Sequence, residues 1–102
     1  MLKITDKNSK QEGILDGIDR LNALVAPAIK DELTGALSKK NANLILNMEN
    51  ITFIDSTGIG VLISALKAAR QNNGSFLLAN VNKNIMNLLT LMKLDKVFDF
   101  AV

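Results

Sequence analysis

FIDSTGIGVL, residues 53–62, sets an aromatic, an acid, two adjacent hydroxyls and two glycines between an apolar run, NLILNM at 43–48, and a longer apolar segment. The stretch reads as the junction where a strand hands over to a helix. Asp, Ser and Thr are the favoured residues at a helix N-terminus, because their side-chain oxygens accept from unpaired backbone N–H groups. Gly58 lets the chain turn tightly into the helix. Capping by itself is sufficient to allow hydroxyls at this seam.

Working outward, Leu44-Ile45-Leu46 is a short continuous apolar run, the pattern of a strand covered on both faces. Downstream, Ile59, Leu62, Ile63, Leu66 and Ala69 recur at helical spacing, with Ser64, Lys67, Arg70 and Gln71 as a narrow wet stripe. That helix is predicted to stop at Asn72-Asn73-Gly74, where Asn or Gly takes the left-handed conformation. Phe76–Ala79 reads as a buried strand, Asn82–Met92 as a helix through Ile85, Met86, Leu88, Leu89 and Met92, and Val97–Phe100 as a last strand. Upstream, Val25, Ile29, Leu33 and Leu37 lie four apart, an amphipathic helix with Asn22 as its expected N-cap and Pro27 in its first turn. Before it come strands at Leu2–Thr5 and Ile14–Leu21, separated by the polar turn KNSKQEG at 7–13.

The order is strand, strand, helix, strand, helix, strand, helix, strand. Alternation at these lengths implies βαβ units, and right-handed crossovers then impose a parallel sheet with helices packed on it. Loops leaving the carboxyl ends of the strands emerge along one edge, where ligands and partners are met. That edge is expected to gather Asn22, Asp55, Ser56, Thr57, Asn80 and Asn82 from seams far apart in sequence.

Composition bounds the chemistry. With 102 residues the chain is expected to form a single domain, 1–102. It has no cysteine and no histidine, so disulfides, thiolate metal sites, zinc chemistry and a Ser-His-Asp triad within the chain are excluded. The net charge is +2, and no basic run exceeds the pair Lys39-Lys40, whereas a nucleic-acid footprint needs cations concentrated on one face. Neither nucleic acid nor a membrane is expected as a partner, since no apolar run approaches the roughly 18 residues of a bilayer span. The charged N-terminal residues lack a signal-peptide apolar core, and a cytoplasmic location is expected.

Three sharper readings of the seam compete with capping. Gly58-Ile59-Gly60 opens a helix after a strand, but the third glycine of a dinucleotide fingerprint is replaced by Ile63 and no P-loop lysine follows. A catalytic Ser56 lacks the G-x-S-x-G elbow, because Ile54 stands two residues before it, and lacks a histidine; only a dyad with Lys67 or Lys83 would remain. The third reading is a phosphate acceptor. A serine at a helix N-terminus is held by the backbone amid N–H groups that accommodate an anion. Phosphate would add about −1.5 to −2 charges at neutral pH without opposing the helix, and would disturb whatever docks there.

FIDSTGIGVL also resembles, without a gap, the F-[hydrophobic]-D-S-[ST]-G-[hydrophobic]-G-[hydrophobic]-[hydrophobic] signature of the anti-sigma-factor antagonists, the stand-alone STAS domains of bacteria. NLILNMENITFID (43–55), SFLLANVNKNIMNLLTLMKLDKVFDF (75–100) and RLNALVAPAIKDEL (20–33) are similar to the family's flanking elements. The resemblance implies an α/β fold, a single STAS-like domain with a four- to five-stranded, mostly parallel mixed sheet flanked by helices. It implies a binding module, not an enzyme, that binds a serine-kinase anti-sigma factor and so frees a sigma factor. The kinase would phosphorylate Ser56 and a PP2C-type phosphatase would remove the phosphate; the ATP belongs to the kinase, and no cofactor or metal is implied.

The resemblance further implies a partner-binding edge of Asn22, Asp55, Ser56, Thr57 and Gly58, with Val61 and Leu62 serving the core. Where the family often has G-x-[hydrophobic]-D before the first helix, this chain has Asp19-Arg20-Leu21-Asn22. Asparagine keeps the capping ability of that position and loses its charge. The alternative within the family is a constitutive accessory subunit of a transporter or signalling complex, in which Ser56 is only a cap.

Overall fold

The computed structural model describes residues 1–8 and 10–101. Among them run β1 (Leu2–Lys7), β2 (Lys10–Leu15), β3 (Arg20–Leu21), α1 (Ala26–Ala36), β4 (Asn43–Asn47), β5 (Phe53–Ile54), α2 (Ser56–Gln71), β6 (Ser75–Ala79), α3 (Lys83–Leu91) and β7 (Asp99–Phe100). Five strands form one sheet in the order β1-β2-β4-β6-β7, antiparallel between β1 and β2 and parallel thereafter; β3 and β5 pair separately. The expected mostly parallel mixed sheet with flanking helices is the fold observed.

From β2 onward each parallel strand is added on the same side of the last. Right-handed crossovers made in one direction deposit every connecting helix on one face of the sheet. The expectation that β4 and β6 are covered on both faces is therefore corrected. Leu44, Leu46, Phe76 and Leu78 point into the core, while Ile45 and Leu77, Cα partners across the two strands, are half-buried on an open outer face. Polar neighbours line that face: Ser75 Oγ donates to Asn43 Oδ1 at 2.8 Å and Asn80 Nδ2 to Asn47 Oδ1 at 3.1 Å. The inner face packs on Ile29, Leu33 and Leu37 from the first helical segment, Leu62, Ala65, Leu66 and Ala69 from α2, and Ile85 and Leu89 from α3.

The N-terminal half departs most from the sequence-based expectation. The second strand begins at Lys10 instead of Ile14, within the expected polar turn, whose Ser9 lies outside the described residues. It ends at Leu15, because Gly17 adopts φ +77 and swings the chain out of the sheet before β3. Lys3 Nζ lies 3.0 Å from Asp16 Oδ2 and holds that carboxyl below its usual range, tying the start of β1 to the exit of β2.

Helix α1 starts at Ala26 and not beside Asn22. Asn22 instead starts a turn, its Oδ1 accepting from Leu24 N at 3.1 Å and its carbonyl from Ala26 N at 2.9 Å. Val25 takes the N-cap position without a side-chain cap. The C-terminal half follows expectation closely. Asn73 takes φ +57 after α2, Gly74 N donates to Ala69 O at 2.8 Å, and Asn82 caps α3 by accepting from Ile85 N at 2.8 Å. The last strand is shorter than expected, Asp99–Phe100.

Candidate functional site

The short β3–β5 pair extends the fold beyond the carboxyl ends of the main strands. Arg20 and Leu21 lie beside Phe53 and Ile54 in parallel register, and Asp55 N donates to Leu21 O at 3.3 Å. Thr52 N donates to Asp19 O at 2.8 Å and Asn50 Nδ2 to Leu15 O at 3.1 Å, fastening the two loops together. The Arg20 guanidinium sits 5.5 Å from the Phe53 ring centroid, a cation–π contact on the rim.

Asp55 is the centre of this construction. Its backbone is extended (φ −108, ψ −176), Oδ1 accepts from Gly58 N at 2.9 Å, and Oδ2 accepts from Ala23 N at 3.3 Å. One carboxylate therefore caps α2 and clamps the turn that leads to α1. Because Asp55 supplies the cap, α2 does not require a hydroxyl for it; Ser56 and Thr57, the first two helical residues, are both exposed. Capping, sufficient in the sequence to explain these hydroxyls, is in the fold the work of their neighbour.

Asp55→Ala is expected to lower stability by about 1 kcal/mol, the usual value of a helix cap. Asp55→Asn, which keeps an accepting oxygen, is expected to retain most of it. Chemical denaturation of the three proteins measures the difference.

Gly58 is buried. A Cβ there would collide with the Leu21 carbonyl oxygen and lie 2.8 Å from Ile54 Cγ1, so the missing side chain is what lets β3 approach α2. Its place in the expected binding edge is therefore that of a spacer beneath the surface. Asn22 reaches the same edge through the adjoining Ala23–Asp55 bond and is half-buried. Val61 and Leu62 are buried in the core, as expected. Asn80 and Asn82 meet the preceding loop instead of Asp55: Asn82 Nδ2 donates to Ile51 O at 2.9 Å, and Asn80 bonds Asn47.

Two features of this edge lie outside the sequence-based expectation. Leu24 is 89% exposed on the turn before α1. Near it a largely apolar groove of about 470 Å3 runs between the α1 start and α2, lined by Ala26, Pro27, Gly60 and Val61 together with Lys30, Thr57 and Ser64. A signal for Leu24 exists in the sequence, since it falls off the four-residue stripe of Val25, Ile29, Leu33 and Leu37. The groove has none, being made by the packing of two helices.

An exposed serine on a capped helix and a groove alongside it thus stand at the carboxyl edge of a small α/β domain whose parallel strands follow one another in a single direction. The chain belongs to the STAS domain family, whose profile matches residues 6–101. The anti-sigma-B factor antagonist of Bacillus subtilis (strain 168) is 26% identical over 96 residues, covering 94% of this chain and 84% of that protein. Among solved structures, a STAS domain protein from Planctomyces limnophilus superposes with a TM-score of 0.87 at 18% identity, over 97% of this chain and 87% of that one. The anti-sigma factor antagonist SpoIIAA in its unphosphorylated form superposes at 0.72 with 14% identity, over 100% of this chain and 88% of its own. At these identities the structural neighbours establish the shared fold. Among the described residues no helix is long and apolar enough to cross a membrane.

Proposed function

We propose that this chain is an anti-sigma-factor antagonist, a binding module switched by phosphorylation of Ser56. Unphosphorylated, it docks its edge of Asn22, Asp55, Ser56 and Thr57, with Gly58 as the spacer beneath, on a serine-kinase anti-sigma factor, which then releases a sigma factor. The kinase transfers the γ-phosphoryl group of ATP to Ser56 Oγ, whose proton leaves to a base on the kinase, and a PP2C-type phosphatase hydrolyses the phosphoserine. The proposal agrees with the named role of the Bacillus subtilis relative.

One observation supports a modification at this seam: the hydroxyls of the first helical turn are exposed while Asp55 meets the capping requirement, and the D-S-T-G-I-G order then selects Ser56 over the equally exposed Thr57. Free backbone N–H groups of the first turn and the helix dipole favour an anion at this position. The phosphate therefore leaves the fold standing. Its charge instead falls on the docking surface beside the Asp55 carboxylate, where it opposes desolvation and repels acidic groups of the partner.

Incubation with the cognate kinase and ATP, followed by mass spectrometry, is expected to place a single phosphate on Ser56 and none on Ser56→Ala. Labelling at Thr57, or undiminished labelling of Ser56→Ala, would overturn the assignment.

A further inference from the structure

The edge of the sheet opposite Ser56 has a chemistry of its own. The amino ends of the four parallel strands are fed by the β1–β2 turn, the α1–β4 loop, the α2–β6 turn and the α3–β7 loop. These segments are fastened side by side. Asn41 N donates to Asn72 O at 2.7 Å, Asn72 Nδ2 to Leu37 O at 3.0 Å, and an Arg70 guanidinium N–H to Val97 O at 3.2 Å. Half of the chain's 12 basic residues are gathered here, Lys10, Lys39, Lys40, Arg70, Lys93 and Lys96, all exposed; Asp95 stands among them, Asp6 and Glu32 lie beside Lys39, and Lys7 is paired with Glu12 at 3.6 Å, so the edge keeps an excess of positive charge. No run in the sequence announces this concentration; the topology makes it.

Apolar side chains stand among these cations. Leu91, the last residue of α3, is 81% exposed, and Met92 (45%) and Val97 (38%) follow in the loop that also holds Lys93 and Lys96. Lys93 keeps a long side chain at φ +60, a conformation that glycine fills without strain.

We propose that this basic edge binds the surface of an anionic lipid bilayer. Clustered lysines and arginines are drawn to acidic headgroups, and exposed aliphatic side chains beside them enter the headgroup–acyl boundary. Duplex nucleic acid would use the cations but offers little to Leu91 and Met92, which is why the bilayer is the better match. Docking in this way points the opposite edge, with Ser56, into solution, so that the tethered domain still presents its switch.

The test is co-sedimentation with vesicles of phosphatidylglycerol mixed with phosphatidylcholine, set against pure phosphatidylcholine. The protein is expected to bind the anionic vesicles only, and to be released by 0.5 M salt, a probe concentration of about three times the physiological ionic strength. Reversing Lys39 and Lys40 to Glu together should lower the partition at least about tenfold, taking roughly a fivefold loss per headgroup contact, and Leu91→Asp should lower it at least about fivefold. Lys83→Glu, a charge reversal on the opposite edge, should leave it unchanged; circular dichroism verifies the fold of each variant. Failure to bind anionic vesicles, an equal loss in Lys83→Glu, no loss in Leu91→Asp, or tighter binding of duplex DNA than of vesicles would each overturn the proposal.

Discussion

Ser56→Asp is expected to weaken the proposed complex with a kinase anti-sigma factor by at least about thirtyfold, roughly 2 kcal/mol, the scale of a like-charge contact in an interface. Its melting temperature is expected to stay level or rise slightly, because a negative group at the first position of α2 gains about 0.3 to 1 kcal/mol from the helix dipole. These two results together identify a switch that acts on the surface alone. Calorimetric titration with the kinase gives the first and thermal unfolding the second. A Ser56→Asp protein that binds as tightly as the parent would remove Ser56 from the interface; one that melts far lower would mean the charge acts through the fold.

The two glycines of the same helix turn are expected to respond in opposite directions. Glycine to alanine in a helix ordinarily gains about 0.5–1 kcal/mol. Gly60 is exposed, and a methyl group added there would meet nothing within 4 Å, so Gly60→Ala should show that gain. Gly58→Ala drives the methyl into the Leu21 backbone and is expected to cost about 1–3 kcal/mol net, the range for overpacking. For a chain of this length each kcal/mol shifts the melting temperature by roughly 4–8 °C. The pair of melting curves should therefore separate widely, although the substitutions are chemically identical. Because Gly58 sets the spacing on which the Ala23–Asp55 bond depends, Gly58→Ala should also weaken partner binding at temperatures where it remains folded.

The elements written in local pattern are legible in the sequence. Helices α2 and α3 follow from apolar spacing and their terminal Asn residues, and β4 and β6 from short apolar runs between turn residues. Ser56 stands out through the ordered D-S-T-G-I-G stretch. Features created between distant segments are not legible. The pairing of Arg20–Leu21 with Phe53–Ile54 joins strands of two residues across more than thirty positions, too short to carry an alternation. The outer face is hidden because Ile45 and Leu77 look as apolar as their buried neighbours; only the direction of the crossovers decides that no helix covers them. Asn22 has the right chemistry to cap α1, but its side chain is spent on the turn at Leu24 and the helix begins at Ala26.

The one-directional strand order also bears on how the domain is made. After the β1–β2 hairpin, each strand of the sheet docks on the one synthesised just before it, in the order β2, β4, β6, β7. Within this sheet no early strand has to wait for a late one to fill a gap beside it; only β3, outside it, waits for β5. A chain emerging from the ribosome at about 5–20 residues per second can therefore add the strands of its sheet in the order they are made, with β1 as one edge throughout and the newest strand as the other. The two-residue β7 closes that edge last and offers a stray strand little to pair with.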